Sequence, residues 1–196
     1  MSILWKNIWK ICFFDCGVRK LTDIRELVTS VGFDNVGVIL AEDIPYDASL
    51  IELCKSNGCG NYGKNYTCPP HIGETDALIQ KAKKYKKAVV FQKIYSIEDS
   101  FDIEGMDTAR TDFRRATQRV HDLCMKECGD FLTLGAGPCN LCPVCGVVEG
   151  AECRFPERAV ASLESYGIFV SVLAQKCGMK YINGVNTVTY FGAVLY

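Results

Sequence analysis

Phe131-Leu-Thr-Leu134-Gly-Ala-Gly137-Pro138-Cys139-Asn-Leu-Cys142-Pro-Val-Cys145 is the stretch on which the fold turns. Phe131–Leu134 is a short apolar run with a β-branched residue, and the Gly-Ala-Gly-Pro that follows stops it, so it reads as a strand ending in a turn. The turn delivers three cysteines at two-residue gaps. Thiolates spaced in this way converge on one face of an iron–sulfur cube, and Cys153, in Cys153-Arg-Phe-Pro156, lies close enough to close the set. A single tetrahedral zinc is more often held by two separated C-x-x-C knuckles. The gap between Cys145 and Cys153 leaves open whether Cys153 belongs to this cluster or to another.

Outward from that strand, apolar spacing predicts helices over residues 21–31, 48–54, 75–87, 107–127, 156–166 and 168–177. Gly32 and Gly129 stop the first and the longest of these, and Gly167 hinges the last two. Strands are predicted over residues 36–40, 88–95 and 187–195, besides 131–134. Strands alternate with helices, which favours an α/β fold and leaves α+β open, as a single compact domain with cysteine-rich metal-binding loops. Residues 1–20 read as an N-terminal extension and 21–196 as the domain. The lysines of residues 81–87 read as a solvated face.

Composition narrows the function classes. The chain has 196 residues, is 48% hydrophobic and carries a net charge of −1, so it can bury a core and gives no electrostatic reason for general nucleic-acid binding. Its twelve cysteines are too many for an ordinary domain of this length. A disulfide scaffold would be shorter, secreted and poorer in core residues. No clean signal peptide is expected. Lys6, Lys10 and Asp15 interrupt the apolar start, and no apolar run reaches the ~20 residues of a membrane span. The expectation is a reducing, cytoplasmic setting with thiolates kept for metal, which an anaerobic source would suit. Neither a Walker-type phosphate loop nor a G-x-G-x-x-G turn is present, so no nucleotide site of those kinds is expected.

A second cysteine group precedes the first in Cys54-Lys-Ser-Asn-Gly-Cys59-Gly-Asn-Tyr-Gly-Lys-Asn-Tyr-Thr-Cys68-Pro-Pro70. Its glycines let backbone wrap a compact inorganic core, and its prolines stiffen the exit. Three cysteines do not fill a four-iron cluster. A fourth ligand would have to come from elsewhere, or one iron would be open as a Lewis acid. Cys12, Cys16, Cys124 and Cys177 read as small buried hydrophobes. Cys128, beside Gly129 at a helix end, is balanced between that role and ligation. His71 reads as a solvated loop residue and His121 as structural. Glu42, Asp43 and Lys64 are polar groups near the loops that surface solvation accounts for.

With Ala41-Glu42-Asp43 before them and Ser165-Tyr166-Gly167-Ile168 after them, the two cysteine groups resemble the predicted metal-binding family of domain of unknown function 2284. The resemblance runs from about residue 21 to residue 196, and it implies metal binding without a settled reaction. The Cys139 run is also similar to the bacterial ferredoxin pattern, whose fourth cysteine sits near a proline but after a shorter gap. A weaker, architectural likeness is to cobalamin-dependent iron–sulfur reductases such as epoxyqueuosine reductase, from which no cobalamin ligand carries over.

These readings make Cys139, Cys142, Cys145, Cys153, Cys54, Cys59 and Cys68 the candidate metal ligands. The leading expectation is one or two [4Fe-4S] clusters serving electron transfer, with a redox partner protein or a small-molecule substrate that the sequence does not identify. The alternatives are a cluster-dependent enzyme with an open iron site, doing reductive or sulfur-transfer chemistry, and a structural zinc protein.

Overall fold

The computed structural model describes residues 23–196. The proposed N-terminal extension, with Cys12 and Cys16, lies outside the described residues. Five strands, β1 (Asn35–Leu40), β2 (Lys87–Ser96), β3 (Leu132–Gly135), β4 (Ala161–Ser162) and β5 (Thr187–Leu195), form one mixed sheet in the order β1-β2-β5-β3-β4. The pairs β1–β2, β2–β5 and β5–β3 are antiparallel, and β3–β4 is parallel. Helices pack with this sheet in one compact chain, which is the α/β architecture expected.

Side-chain alternation divides the sheet between two cores. Ala88 faces Leu195 and Val90 faces Ala193 across the β2–β5 ladder, and all four enter one core. Val89 and Val194, paired between them, enter the other. With both faces covered, Val89, Val90 and Phe91 are all fully buried, so β2 reads as a continuous apolar run. The helices α1 (Ile24–Ser30) and α4 (Ile103–Glu127) cover the second face through Leu27, Val28, Phe113 and Val120. The other face receives Ala82 of α3 (Thr75–Ala82) and Leu173 and Ala174 of α5 (Val170–Lys176). The α4 helix starts at Ile103, four residues before the predicted start. Asp102 caps it by accepting a hydrogen bond from the Gly105 N–H at 2.7 Å.

The predicted helix over residues 156–166 does not form. Ala161 and Ser162 instead pair in parallel with Leu134 and Gly135 as β4, and the Leu163 N–H donates to the Gly135 carbonyl at 3.0 Å. A single 3₁₀ turn, Glu164–Tyr166, follows and ends at Gly167. Ala161, Leu163 and Ile168 are buried by this path, so long-range pairing outweighs local helical spacing. The predicted helix over residues 75–87 stops at Ala82 for a related reason: the Lys86 and Lys87 N–H groups donate to the Tyr196 carbonyl and begin β2.

Candidate metal centres

Because β3 and β4 are parallel, their C-terminal ends open at the same edge of the fold. Gly137 and Pro138 leave β3 there, and Ser162, Glu164 and Ser165 leave β4. The loop carrying the first cysteine group lies against both. Cys54 is on α2 (Ile51–Lys55), and Cys59 and Cys68 are on the turns that follow. Together these residues line a cavity of about 330 Å³ whose walls include Leu50, Leu53, Tyr62 and Pro69. All three cysteines are free thiols, with Cys68 buried, Cys54 half-buried and Cys59 exposed.

A second, much narrower cavity of about 20 Å³ is lined by Cys139, Cys142, Cys145 and Cys153, with Asn65, Tyr66 and Thr67 on its other wall. All four predicted cysteines of the later group therefore share one space. The Cys139–Cys153 loop holds only one short 3₁₀ turn, Gly146–Glu149. Gly146 is required for its close folding, since a Cβ there would lie 2.5 Å from the Glu152 carbonyl oxygen. The Arg154 guanidinium reaches the Val144 carbonyl at 3.1 Å, pairs with Glu149 and hydrogen-bonds the Cys142 sulfur.

Adjacent residues of the chain form the partition between the two cavities. Thr67 and Cys68 are neighbours in the chain but line different cavities, as do Pro138 and Cys139. Two hydrogen bonds fasten this wall: the Cys139 N–H donates to Thr67 Oγ1 at 2.9 Å, and Asn65 Nδ2 donates to the Cys139 carbonyl at 2.8 Å. Ser165 adds a third tie, from its hydroxyl to the Thr67 carbonyl at 3.2 Å. Asn65, Thr67 and Ser165 are all buried, so these polar groups belong to the frame and not to the surface.

The thiols of each group sense one another. Burial pushes the Cys68 thiol up to about 11, and Cys59 and Cys54 add to the shift while Arg114 opposes it. Burial also raises Cys54, helped by Cys59 and Glu164. Cys139 is raised by burial and by Cys153, Cys142 and Cys145, against a hydrogen bond from the Leu141 backbone. Such groups resist ionising beside each other, and a cation placed among them reverses that preference. Soft thiolates in threes and fours suit zinc or an iron–sulfur cluster. Among the described residues, however, no group of three or more His, Cys, Asp or Glu side chains is gathered tightly enough to hold a metal ion.

Two polar residues at this edge escaped the sequence reading. Glu164 lines the larger cavity. It is exposed to solvent there, and its charge bears on the Cys54 thiol. Arg114, on α4, lies behind the partition with Gly137, Pro138 and Cys139, and its Nε donates to the Ala136 carbonyl at 3.2 Å. Glu164 was hidden in a segment read as helix, and Arg114 among the charges of a long one. Lys64 is an exposed loop residue, and Glu42 lies with Leu40, Lys83, Tyr85 and Lys86.

Neither cysteine cavity is lined by Cys124, Cys128 or Cys177. Cys124 and Cys128 pack in the α4 core, and Cys177 packs against the opposite one. His71 bonds the Gly63 carbonyl at 3.2 Å in its own loop, and His121 bonds the Glu157 carbonyl at 2.9 Å, each through Nε2. Burial moves Cys124 from its ordinary 9.0 to about 12 and Cys177 to about 11. The fold thus keeps protons that the unfolded chain releases above about pH 9. The stability this contributes is complete below pH 9 and is lost as pH rises toward 11–12. Thermal melts of the metal-free protein are expected to fall between pH 8.5 and 11, and Cys124→Ala is expected to flatten part of that fall.

A family model described as predicted metal-binding protein, DUF2284, matches residues 37–196. The chain belongs to this family. The match takes in both cysteine groups and the sheet that presents them, and it supports metal binding with the metal unspecified. No curated protein and no solved structure matches the chain. Among the described residues no helix is long and apolar enough to cross a membrane.

Proposed function

We propose that this DUF2284 protein is a two-centre iron–sulfur protein that passes electrons. Cys139, Cys142, Cys145 and Cys153 hold one [4Fe-4S] cluster, and Cys54, Cys59 and Cys68 hold the second. The observation that carries this reading is the pair of cysteine-lined cavities separated by the Thr67–Cys139 wall. Bound clusters would supply reversible one-electron transfer, and two of them in neighbouring cavities would form a relay. The chain's own groups contribute the surroundings. The Leu141 backbone and Arg154 donate hydrogen bonds to cysteine sulfur, a contact that raises cluster potentials. Leu50, Leu53 and Pro69 give the larger cavity apolar lining.

A structural zinc suits the arrangement less well. A single tetrahedral ion is more often held by two separated C-x-x-C knuckles, and Cys139, Cys142 and Cys145 form one continuous run. The larger cavity favours a second reading for the first centre alone: its size leaves room for a small molecule beside a cluster, so chemistry would take place there and the four-cysteine centre would feed it.

The test is metal and acid-labile sulfide analysis of protein purified anaerobically. About eight irons and eight sulfides per chain are expected for two four-iron clusters. Stoichiometric zinc without sulfide would sink the proposal, and about four irons would remove one centre from it.

A further inference from the structure

We propose that Glu164 supplies a carboxylate ligand, the fourth, to the metal centre of Cys54, Cys59 and Cys68. The inference rests on the iron–sulfur reading above and answers what completes its three-cysteine site.

Three observations lead to it. Among the described residues Glu164 is the only carboxylate that lines the cavity, where its neighbours besides the cysteines are apolar groups, glycines, hydroxyls and the phenol of Tyr62. The turn that carries it is built into the same loop. Ser165, the next residue, is tied to the peptide before Cys68 by its hydroxyl, and the Gly167 carbonyl accepts a hydrogen bond from the Asp47 N–H at 2.7 Å, just ahead of the segment that carries Cys54. Ser162 fastens the turn internally, its hydroxyl 3.0 Å from that of Ser165 and accepting from the Ser165 N–H at 3.1 Å. Both ends of the cysteine loop are therefore pinned to the Glu164 turn.

The third observation is the lack of a counter-charge. Among the described residues the ion pairs use other carboxylates, and Glu164 has only its own backbone and the Ser162 hydroxyl as hydrogen-bond partners. As an exposed side chain without an ion-pair partner, it is open to a cation. A metal centre in the cavity supplies that cation. Carboxylate oxygen is a harder donor than thiolate and holds iron less firmly. Glu164 would therefore be the displaceable ligand, released to the Ser162 hydroxyl when a softer molecule takes its place.

The test uses the full chain, prepared anaerobically, with cyanide as the probe. Wild type is compared with Glu164→Gln and Glu164→Cys. The spectrum of the Cys139 cluster reports in each case that the fold is intact. Removing the competing carboxylate in Glu164→Gln is expected to tighten cyanide binding at the first centre about tenfold. Mild oxidation of that variant should release one iron and leave the electron paramagnetic resonance signal of a three-iron cluster. Glu164→Cys should keep four irons on the same oxidation and bind cyanide more weakly than wild type. If Glu164→Gln does not fold, the Glu164→Cys comparison decides alone. Unchanged cyanide affinity and unchanged iron retention in the variants would overturn Glu164 as a ligand while leaving the clusters in place. Full iron content in a Cys59→Ser variant would show instead that the cluster reading of this cavity is wrong.

Discussion

Cys142→Ser is expected to lose about half of the chain's iron and sulfide and to melt at a much lower temperature than the intact protein. The loop from Cys139 to Cys153 has little else to hold it. Its one 3₁₀ turn spans Gly146–Glu149, and its ion pair, Arg154 with Glu149, is partly exposed and contributes little. Structural metal in small sites contributes on the order of 10 kcal/mol, because binding and folding are one process. The loss should extend beyond the loop. Cys139 is bonded to Asn65 and Thr67, so disorder there removes one wall of the first cavity as well. Iron analysis and thermal melts under anaerobic conditions check both parts. Cys153→Ser asks a separate question. Full iron and an unchanged spectrum in that variant would show that Cys153 is not the fourth ligand. Cys124→Ala is the control. It removes a buried thiol from the α4 core and should lower stability without loss of iron.

The grouping of the cysteines was legible in the sequence because each group is local. Cys54 to Cys68 and Cys139 to Cys153 each span fifteen residues, and the fold gathers each group around a separate cavity. The terminal strand was legible over its whole length, Thr187–Leu195, since a run so rich in aromatic and β-branched residues has few other uses. The Glu164 turn was not legible. Its place depends on the pairing of Gly135 with Ser162, and the apolar spacing of residues 156–166 imitates a helix. The same is true of Arg114. Its neighbours on the sequence are helix residues, but its chemical neighbours are Ala136 and the wall that bears Cys139. Residues brought to a site by strand pairing or by a helix crossing a sheet leave no local pattern to read.

Arg114→Gln is expected to lower the reduction potentials of both centres. The guanidinium sits behind the partition, beside Cys139, and it already pulls the Cys68 thiol toward ionisation. Desolvation lowers its own ionisation equilibrium from the ordinary 12.5, yet it stays charged in the working pH range. The backbone is shaped to admit it: Gly137 has φ +72°, and a side chain at that position would collide with the guanidinium. A fixed positive charge favours the reduced, more negative form of any cluster nearby. At roughly 10 Å through an effective dielectric near 20, one charge contributes about 1.7 kcal/mol. A tenfold change in a one-electron equilibrium is about 59 mV, so a fall on the order of 50 mV or more is expected at each centre. Arg114→Lys keeps the charge and should recover most of the potential while losing the bond to Ala136. Redox titration followed by electron paramagnetic resonance separates these outcomes. A fall in Arg114→Gln that lysine does not restore would place the effect in the geometry of the wall, and equal potentials in all three proteins would mean that solvent screens the guanidinium from both centres.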